Sequence, residues 1–206
     1  MEHLPHNSSP LPDEFSDPES APEPKKEGGL FGEVVRFGLL ALLIVLPIRI
    51  FIAQPFIVSG ESMEETFHSG EYLIVDQLSY RFEEPERGDV VIFKYPVDPS
   101  KYFIKRIIGL PGETVRISGT SITITSIDNA EGIVLEEPYI NDMHDNPLSA
   151  TTLKDDEYFV MGDNRDRSSD SRIWGTLPRE NIIGRAYVRL SPFSRIELLP
   201  GAYNEN

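Results

Sequence analysis

The chain has 206 residues, enough for one domain of ordinary size, and its formal net charge at pH 7 is −15. This acidity argues against a nucleic-acid partner, because neutralising phosphates requires clustered lysine and arginine side chains. The chain contains no cysteine, which excludes disulfides, thiolate metal sites and a cysteine nucleophile.

Residues 1–33 are predicted to form a disordered cytoplasmic tail. They are rich in proline and acidic residues and contain few large apolar ones. Such a segment cannot bury enough surface to offset the entropy that it would lose on ordering.

Residues 34–55 are predicted to form a single transmembrane helix. The uncharged run FGLLALLIVLPI is bracketed by Arg36 and Arg49, and further apolar residues follow it before Pro55. A helix of this length would measure roughly 30 Å, which matches the hydrocarbon core of a bilayer. A buried core helix is the alternative interpretation. A cleaved signal peptide is disfavoured, because no Ala-x-Ala site ends the run.

The basic flanks of this run predict its orientation. Lys25, Lys26 and Arg36 precede it, whereas the first lysine or arginine beyond Arg49 is Arg81. Basic residues favour the cytoplasmic side. The tail is therefore expected in the cytoplasm and residues 56–206 on the outer side of the membrane.

Residues 56–200 are predicted to form a β-rich domain, followed by a short tail at 201–206. Short apolar runs are separated by Gly, Pro, Asn and Asp, a spacing typical of strands and turns. The stretch VRISGTSITI alternates around Ser118-Gly119-Thr120 and predicts a hairpin. The fold class is therefore mainly β.

Two groups of polar residues do not fit the spacing of a known metal or catalytic site. His68 and His144 lie in turn-like stretches without metal-ligand spacing, which disfavours a zinc site and a Ser-His-Asp triad. The segment 162–172, GDNRDRSSDSR, does not fit a calcium loop because Arg165 would occupy a ligand position. A solvated loop and an ordered corner tied by Asp–Arg pairs remain as interpretations. No metal site is predicted.

Lys105 and Ser62 are the candidate catalytic residues. In a strand, Lys105 of YFIKRIIG shares a face with Phe103 and Ile107. Such neighbours desolvate the amine and lower its pKa, and a neutral lysine can act as a general base. Arg106 has equal flanks on the opposite face, so an ordinary strand lysine remains the alternative. Ser62 lies on a glycine-containing turn, where its hydroxyl and backbone N–H can point to the same side.

Four blocks of this sequence, taken in order, resemble the bacterial type I signal peptidases. They are SGESMEETFHSGEYLIVDQLSY, RGDVVIFKYPVDP, YFIKRIIGLPGE and MGDNRDRSSDSRIWG. The resemblance implies a signal-peptidase-like β catalytic domain behind one membrane anchor, in the bacterial plasma membrane. It implies a serine endopeptidase that removes signal peptides from exported preproteins after small-x-small sites, usually Ala-x-Ala. The implied partners are preproteins and the lipid bilayer, with no cofactor and no obligate oligomer.

The resemblance also implies roles for individual residues. Ser62 corresponds to the nucleophile, Lys105 to its general base and Ser168 to a hydroxyl that orients the lysine. Asp170 and Arg172 correspond to a supporting ion pair. The residues expected to line the substrate cleft are Val58, Ser59, Met63, Phe67, Phe103 and Ile104.

Four positions depart from the family pattern, and one of them is Phe67, which replaces a leucine. A gap-free alignment puts Gly60 where many members have a serine that donates to the oxyanion, and Ser59 could serve there only if the turn bulges by one residue. Glu65 replaces a proline, and Arg167 replaces an asparagine, a change expected to affect the choice of cleavage site. Two alternatives to a signal peptidase remain open. One is another Ser–Lys protease of related fold, such as a self-cleaving repressor, and the other is an inactive relative that binds signal peptides or acts as a scaffold.

Overall fold

The computed structural model describes residues 30–47, 53–64, 66–140 and 146–202. The expectations for residues 1–29 and 203–206 lie outside this part of the chain. Helix α1 spans Leu30–Pro47, with Glu33 in its first turn, where a carboxylate is favoured by the helix dipole. The predicted tail therefore extends too far, because residues 30–33 are already helical.

The predicted end of the helix is wrong. It was expected at residue 55, but the chain forms a strand, β1, at Ala53–Ile57. Pro47 lacks a backbone N–H and disfavours helix before it. The backbone of β1 pairs instead with strand β2, Tyr72–Asp76, from Ala53↔Asp76 to Ile57↔Tyr72. In the ranges that the structure describes, no helix is both long and apolar enough to cross a membrane.

The rest of the described chain is mainly β, which confirms the predicted fold class. The further strands are β3 (Val90–Lys94), β4 (Tyr102–Gly109), β5 (Thr114–Gly119), β6 (Ser121–Thr125), β7 (Ile133–Val134), β8 (Asn146–Thr152), β9 (Glu157–Met161), β10 (Leu177–Pro178), β11 (Ile182–Ser191) and β12 (Glu197–Leu198). The short helix α2 spans Ser171–Trp174.

Two antiparallel sheets organise these strands. In the larger sheet the order is β1-β2-β11-β3-β4-β9-β10, and β12 pairs with β11. The smaller sheet has the order β7-β6-β5-β8. Its central pair is the predicted hairpin, with Val115 opposite Ile124 and Ser118 opposite Ser121. The sequence therefore predicted this hairpin correctly.

The core lies on both faces of the larger sheet and beneath the smaller one. β4 is buried along most of its length, as expected of a strand that has neighbours on both sides and is covered on both faces. Because β4 lies between β3 and β9, its polar side chains are held inside the protein. This central position buries Lys105 next to Ser62.

Candidate active site

Ser62 lies on the loop between β1 and β2, and this loop is fixed at its base and in its middle. The N–H of Val58 donates to the carbonyl of Glu71 at 2.9 Å, and the N–H of Phe67 donates to the carbonyl of Met63 at 2.8 Å. Gly60 has φ +94°, a conformation that favours glycine. The loop therefore presents Ser62 on a tight, well-anchored turn.

Lys105 comes to this serine from the centre of the larger sheet. Its side chain is buried, with 3% exposure for the residue, and its Nζ lies 2.7 Å from Ser62 Oγ. The amine also donates to the backbone carbonyl of Ile104 at 2.8 Å. The sheet thus brings together two residues that are 43 positions apart in sequence.

Burial lowers the pKa of Lys105 from 10.5 to about 8. The desolvated ammonium is the main cause. The negative charges of Asp170 and Asp163 act in the opposite direction and raise the pKa. A considerable fraction of the amine is therefore neutral near pH 8, which a general base requires.

Asp170 and Arg172 form the expected ion pair at the corner after β9. Arg172 Nη2 lies 2.8 Å from Asp170 Oδ2, and the N–H of Gly162 donates to the same carboxylate at 3.1 Å. Burial alone would raise the pKa of Asp170, but the hydrogen bond and charge of Arg172 hold it below its usual value. The corner is thus ordered, which decides against the solvated-loop interpretation of this segment.

Ser168 is buried at the same corner, and the hydrogen bonding of its hydroxyl differs from the expectation that it orients Lys105. Ser168 Oγ makes no hydrogen bond of ordinary geometry among the described residues, so no hydrogen bond to Lys105 is formed. The hydroxyl nevertheless lies close enough to Asp170 to help lower the pKa of that carboxyl. A Cβ placed on Gly162 would lie 2.3 Å from Ser168 Oγ and 2.3 Å from the Ser62 carbonyl oxygen. Gly162 therefore allows the corner and the Ser62 loop to approach each other closely.

A cleft of about 460 Å³ opens beside Ser62 and Lys105. Of the residues expected to line it, four do so: Val58, Ser59, Phe103 and Ile104. Gly60 also lines it, without a side chain that could donate to an oxyanion. Glu61 and Arg167 form an ion pair at this cleft.

Met63 and Phe67 are placed differently from the expectation. Their exposures are 1% and 0%, and both pack in the core with Leu73 and Val75. Neither is among the described residues that line the cleft. Since large apolar side chains gain most free energy when fully buried, these two anchor the Ser62 loop instead of contacting a substrate.

A buried ion pair that the sequence patterns did not predict, Arg106 with Asp163, lies behind the site. Arg106, fully buried, donates through Nε and Nη2 to Asp163 at 2.9 and 2.6 Å. Asp163 in turn accepts a hydrogen bond from the hydroxyl of Thr66, on the Ser62 loop. The equal apolar flanks of Lys105 and Arg106 were the available signal, because they indicated that both side chains are buried.

A serine hydroxyl in contact with a buried lysine amine, at a cleft in a β domain, is typical of serine proteases in which lysine replaces histidine as the base. Residues 31–191 match the family described as signal peptidase, peptidase S26. The chain belongs to this family.

The relatives include a signal peptidase I from Leptolyngbya laminosa, 38% identical over 198 residues, which cover 92% of this chain and 94% of that one. A Synechocystis protein named "Probable signal peptidase I-2" is 40% identical over 165 residues, covering 77% and 72% of the two chains. A signal peptidase I from Bacillus licheniformis is 32% identical over 182 residues, covering 83% and 94%. The crystal structure of a signal peptidase I from Enterococcus faecalis shares 29% identity, covers 50% of this chain and 97% of that one, and has a TM-score of 0.43.

Proposed function

We propose that this protein is a membrane-bound serine endopeptidase that removes N-terminal signal peptides from exported preproteins. The observation that carries the proposal is the 2.7 Å separation of Lys105 Nζ and Ser62 Oγ. Family membership supports the substrate class, and the separation supports the assignment of nucleophile and base.

In the first half of the reaction, neutral Lys105 takes the proton of Ser62 as Oγ attacks the scissile carbonyl carbon. The backbone N–H of Ser62 donates to the oxyanion that forms. When this intermediate collapses, the C–N bond breaks and the lysine ammonium returns its proton to the departing amine. The signal peptide is then held on Ser62 as an ester.

In the second half, water hydrolyses this ester. Lys105 takes a proton from the water as its oxygen attacks the ester carbonyl, and the bond to Ser62 Oγ breaks. The serine recovers a proton from the lysine, and the signal peptide leaves with a new carboxylate. The same base therefore serves both steps, and no cofactor takes part.

The cleft supports a preference for small side chains. Val58, Phe103 and Ile104 give it apolar walls. An extended peptide places alternate side chains on the same face, so two residues two positions apart would contact these walls. This arrangement favours a small-x-small sequence such as Ala-x-Ala before the cut.

The proposal places the N-terminal tail in the cytoplasm and the β domain on the outer side of a bacterial plasma membrane. The sequence supports this arrangement through the apolar run and its basic N-terminal flank. A protease anchored on the outer side would meet the cleavage site of an exported preprotein at the membrane surface.

The test is cleavage of a preprotein with an Ala-x-Ala site by the purified full-length protein in detergent. The wild type is expected to cut after the last alanine, as read by mass spectrometry of the product. Ser62→Ala and Lys105→Met should each lower kcat by about 10³-fold or more. Ser121→Ala and Lys154→Met, exposed and outside the cleft, are the matched controls.

The outcomes separate the proposal from its alternatives. Substantial cleavage by Ser62→Ala or Lys105→Met would contradict the assigned pair. Fragmentation of the protein itself with the preprotein left intact would favour a self-cleaving protease. No cleavage, together with no labelling of Ser62 by a reagent that acylates active serines, would favour an inactive relative.

A further inference from the structure

The described chain ends in an ordered turn at residues 199–202, although a tail was expected to begin at residue 201. The N–H of Leu199 donates to the carbonyl of Tyr187 on β11 at 2.7 Å, and the N–H of Ala202 closes the turn on the carbonyl of Leu199 at 2.9 Å. Pro200 is buried. The turn is therefore hydrogen-bonded to the larger sheet.

This turn provides a hydrogen-bond acceptor for the buried arginine next to Lys105. The carbonyl of Gly201 accepts from Arg106 Nη1, which also donates to the carbonyl of Gly88 at 2.9 Å. The remaining bonds of this guanidinium go to Asp163. Because an unsatisfied buried donor is costly, the Gly201 carbonyl helps to hold Arg106, and through it Asp163, in place.

The same glycine packs directly on the loop that carries Ser62. A Cβ at Gly201 would lie 2.6 Å from Thr66 Cγ2 and 3.3 Å from Phe67 Cε2. Its φ is +74°, so glycine also relieves backbone strain here. Thr66 is thus held on two sides, by this close contact and by its hydrogen bond to Asp163.

We propose that the turn at Pro200 and Gly201 is a positioning element for the Ser62–Lys105 pair, fixing the serine loop and the lysine strand relative to each other. The proposal rests on the proposed function of that pair. Its physical basis is that a displacement of about 1 Å between reacting groups can lower a rate by about 100-fold.

The test compares Gly201→Ala with Gly112→Ala in the full-length protein. Gly112 has a similar φ of +79°, but a Cβ there would meet nothing within 4 Å. Both variants therefore carry the strain of a left-handed alanine, and only Gly201→Ala pushes on Thr66. We expect Gly201→Ala to lose more thermal stability than Gly112→Ala, because it adds the contact with Thr66. At a temperature where both variants are fully folded, kcat should fall by about tenfold or more for Gly201→Ala alone, with little change in KM.

A second-site change tests the contact itself. Thr66→Ser removes Cγ2, the atom nearest to the added Cβ, and keeps the hydroxyl that donates to Asp163. The double variant Gly201→Ala/Thr66→Ser is expected to recover kcat to the level of Thr66→Ser alone. If the turn contributed only to stability, kcat would be the same for Gly201→Ala and for the double variant at a temperature where both are fully folded.

The outcomes distinguish failure of this proposal from failure of the proposed function. Equal kcat for Gly201→Ala and Gly112→Ala, with the wild type active, overturns the positioning role and leaves the proposed function intact. If Gly201→Ala does not fold, a double variant that folds without recovering kcat overturns it in the same way. A wild type that cleaves no preprotein overturns both.

Discussion

Lys105 is a titratable amine that is nevertheless buried, and burial disfavours its charged form. Ser62 Oγ and the carbonyl of Ile104 are its hydrogen-bond partners. The carboxylates of Asp170 and Asp163 lie close enough to raise its pKa, yet burial lowers that pKa to about 8. The buried amine of Lys105 therefore predicts how cleavage and stability depend on pH.

Cleavage should depend on pH through Lys105. Since only neutral Lys105 can accept the serine proton, kcat/KM should rise about tenfold per pH unit below pH 8 and level off above it. Measurement of kcat/KM between pH 6 and 9.5 gives the position of the bend. A bend near 6.5, the pKa of an ordinary histidine, would contradict the assignment of the base.

Stability should depend on pH through the same group. The folded-state pKa of Lys105 lies below its unfolded value, so folding is penalised below pH 8 and the penalty disappears as pH rises through 10.5. The shift from 10.5 to about 8 corresponds to about 3 kcal/mol. Lys105→Met should therefore raise the free energy of unfolding by about this amount at pH 7, and by less than about 1 kcal/mol at pH 10.

Urea denaturation in detergent at the two pH values measures this difference. The exposed Lys154 supplies the control: Lys154→Met should change the free energy of unfolding by about 0.5 kcal/mol or less. Equal effects of Lys105→Met at pH 7 and pH 10 would show that burial does not penalise the charged amine.

At the scale of elements, the site is a junction of three segments: the Ser62 loop, strand β4 and the corner after β9. Two close approaches hold the junction together. Gly162 allows the corner to reach the backbone of Ser62, and the N–H of Asn164 donates to the carbonyl of Ser62 at 3.1 Å. The position of Ser62 therefore depends on a segment about a hundred residues later in the chain.

Gly162→Ala tests this approach. Its Cβ would lie 2.3 Å from both the Ser62 carbonyl oxygen and Ser168 Oγ, so the loop or the corner must move. We expect kcat to fall by about 100-fold, measured by preprotein cleavage. Gly38→Ala in α1, where a Cβ meets nothing within 4 Å, is the control. Wild-type kcat for Gly162→Ala would show that the junction tolerates the displacement.

At the scale of the whole molecule, an apolar N-terminal segment is joined to an acidic β domain. We expect the protein to stay with the membrane fraction after carbonate extraction. In spheroplasts, externally added protease should digest an epitope placed after Asn206 and spare one placed before Met1, since the basic residues precede the apolar run. Digestion of the N-terminal epitope alone would reverse the proposed orientation.

Sequence patterns predicted the mainly β fold class, and the family resemblance led to the proposal that Ser62 and Lys105 are the reacting residues. Alternating apolar residues around Gly119, and the Gly, Pro, Asn and Asp residues between short apolar runs, suffice to predict β structure, because these signals are local. Ser62 and Lys105 were identified from the resemblance of their sequence blocks to a family. Residue pattern alone left Lys105 equivalent to Arg106.

Features that depend on pairing between distant parts of the chain could be seen only in the three-dimensional structure. Met63 and Phe67 face the core instead of the cleft, because the loop is closed by contacts between β1 and β2. The helix ends before β1, because pairing with β2 satisfies the backbone there. Arg106 and Gly201 meet behind the site only when β4 lies at the centre of the sheet and β11 returns the chain to it. Arg106 and Gly201 are 95 positions apart, and no local sequence period records such a contact.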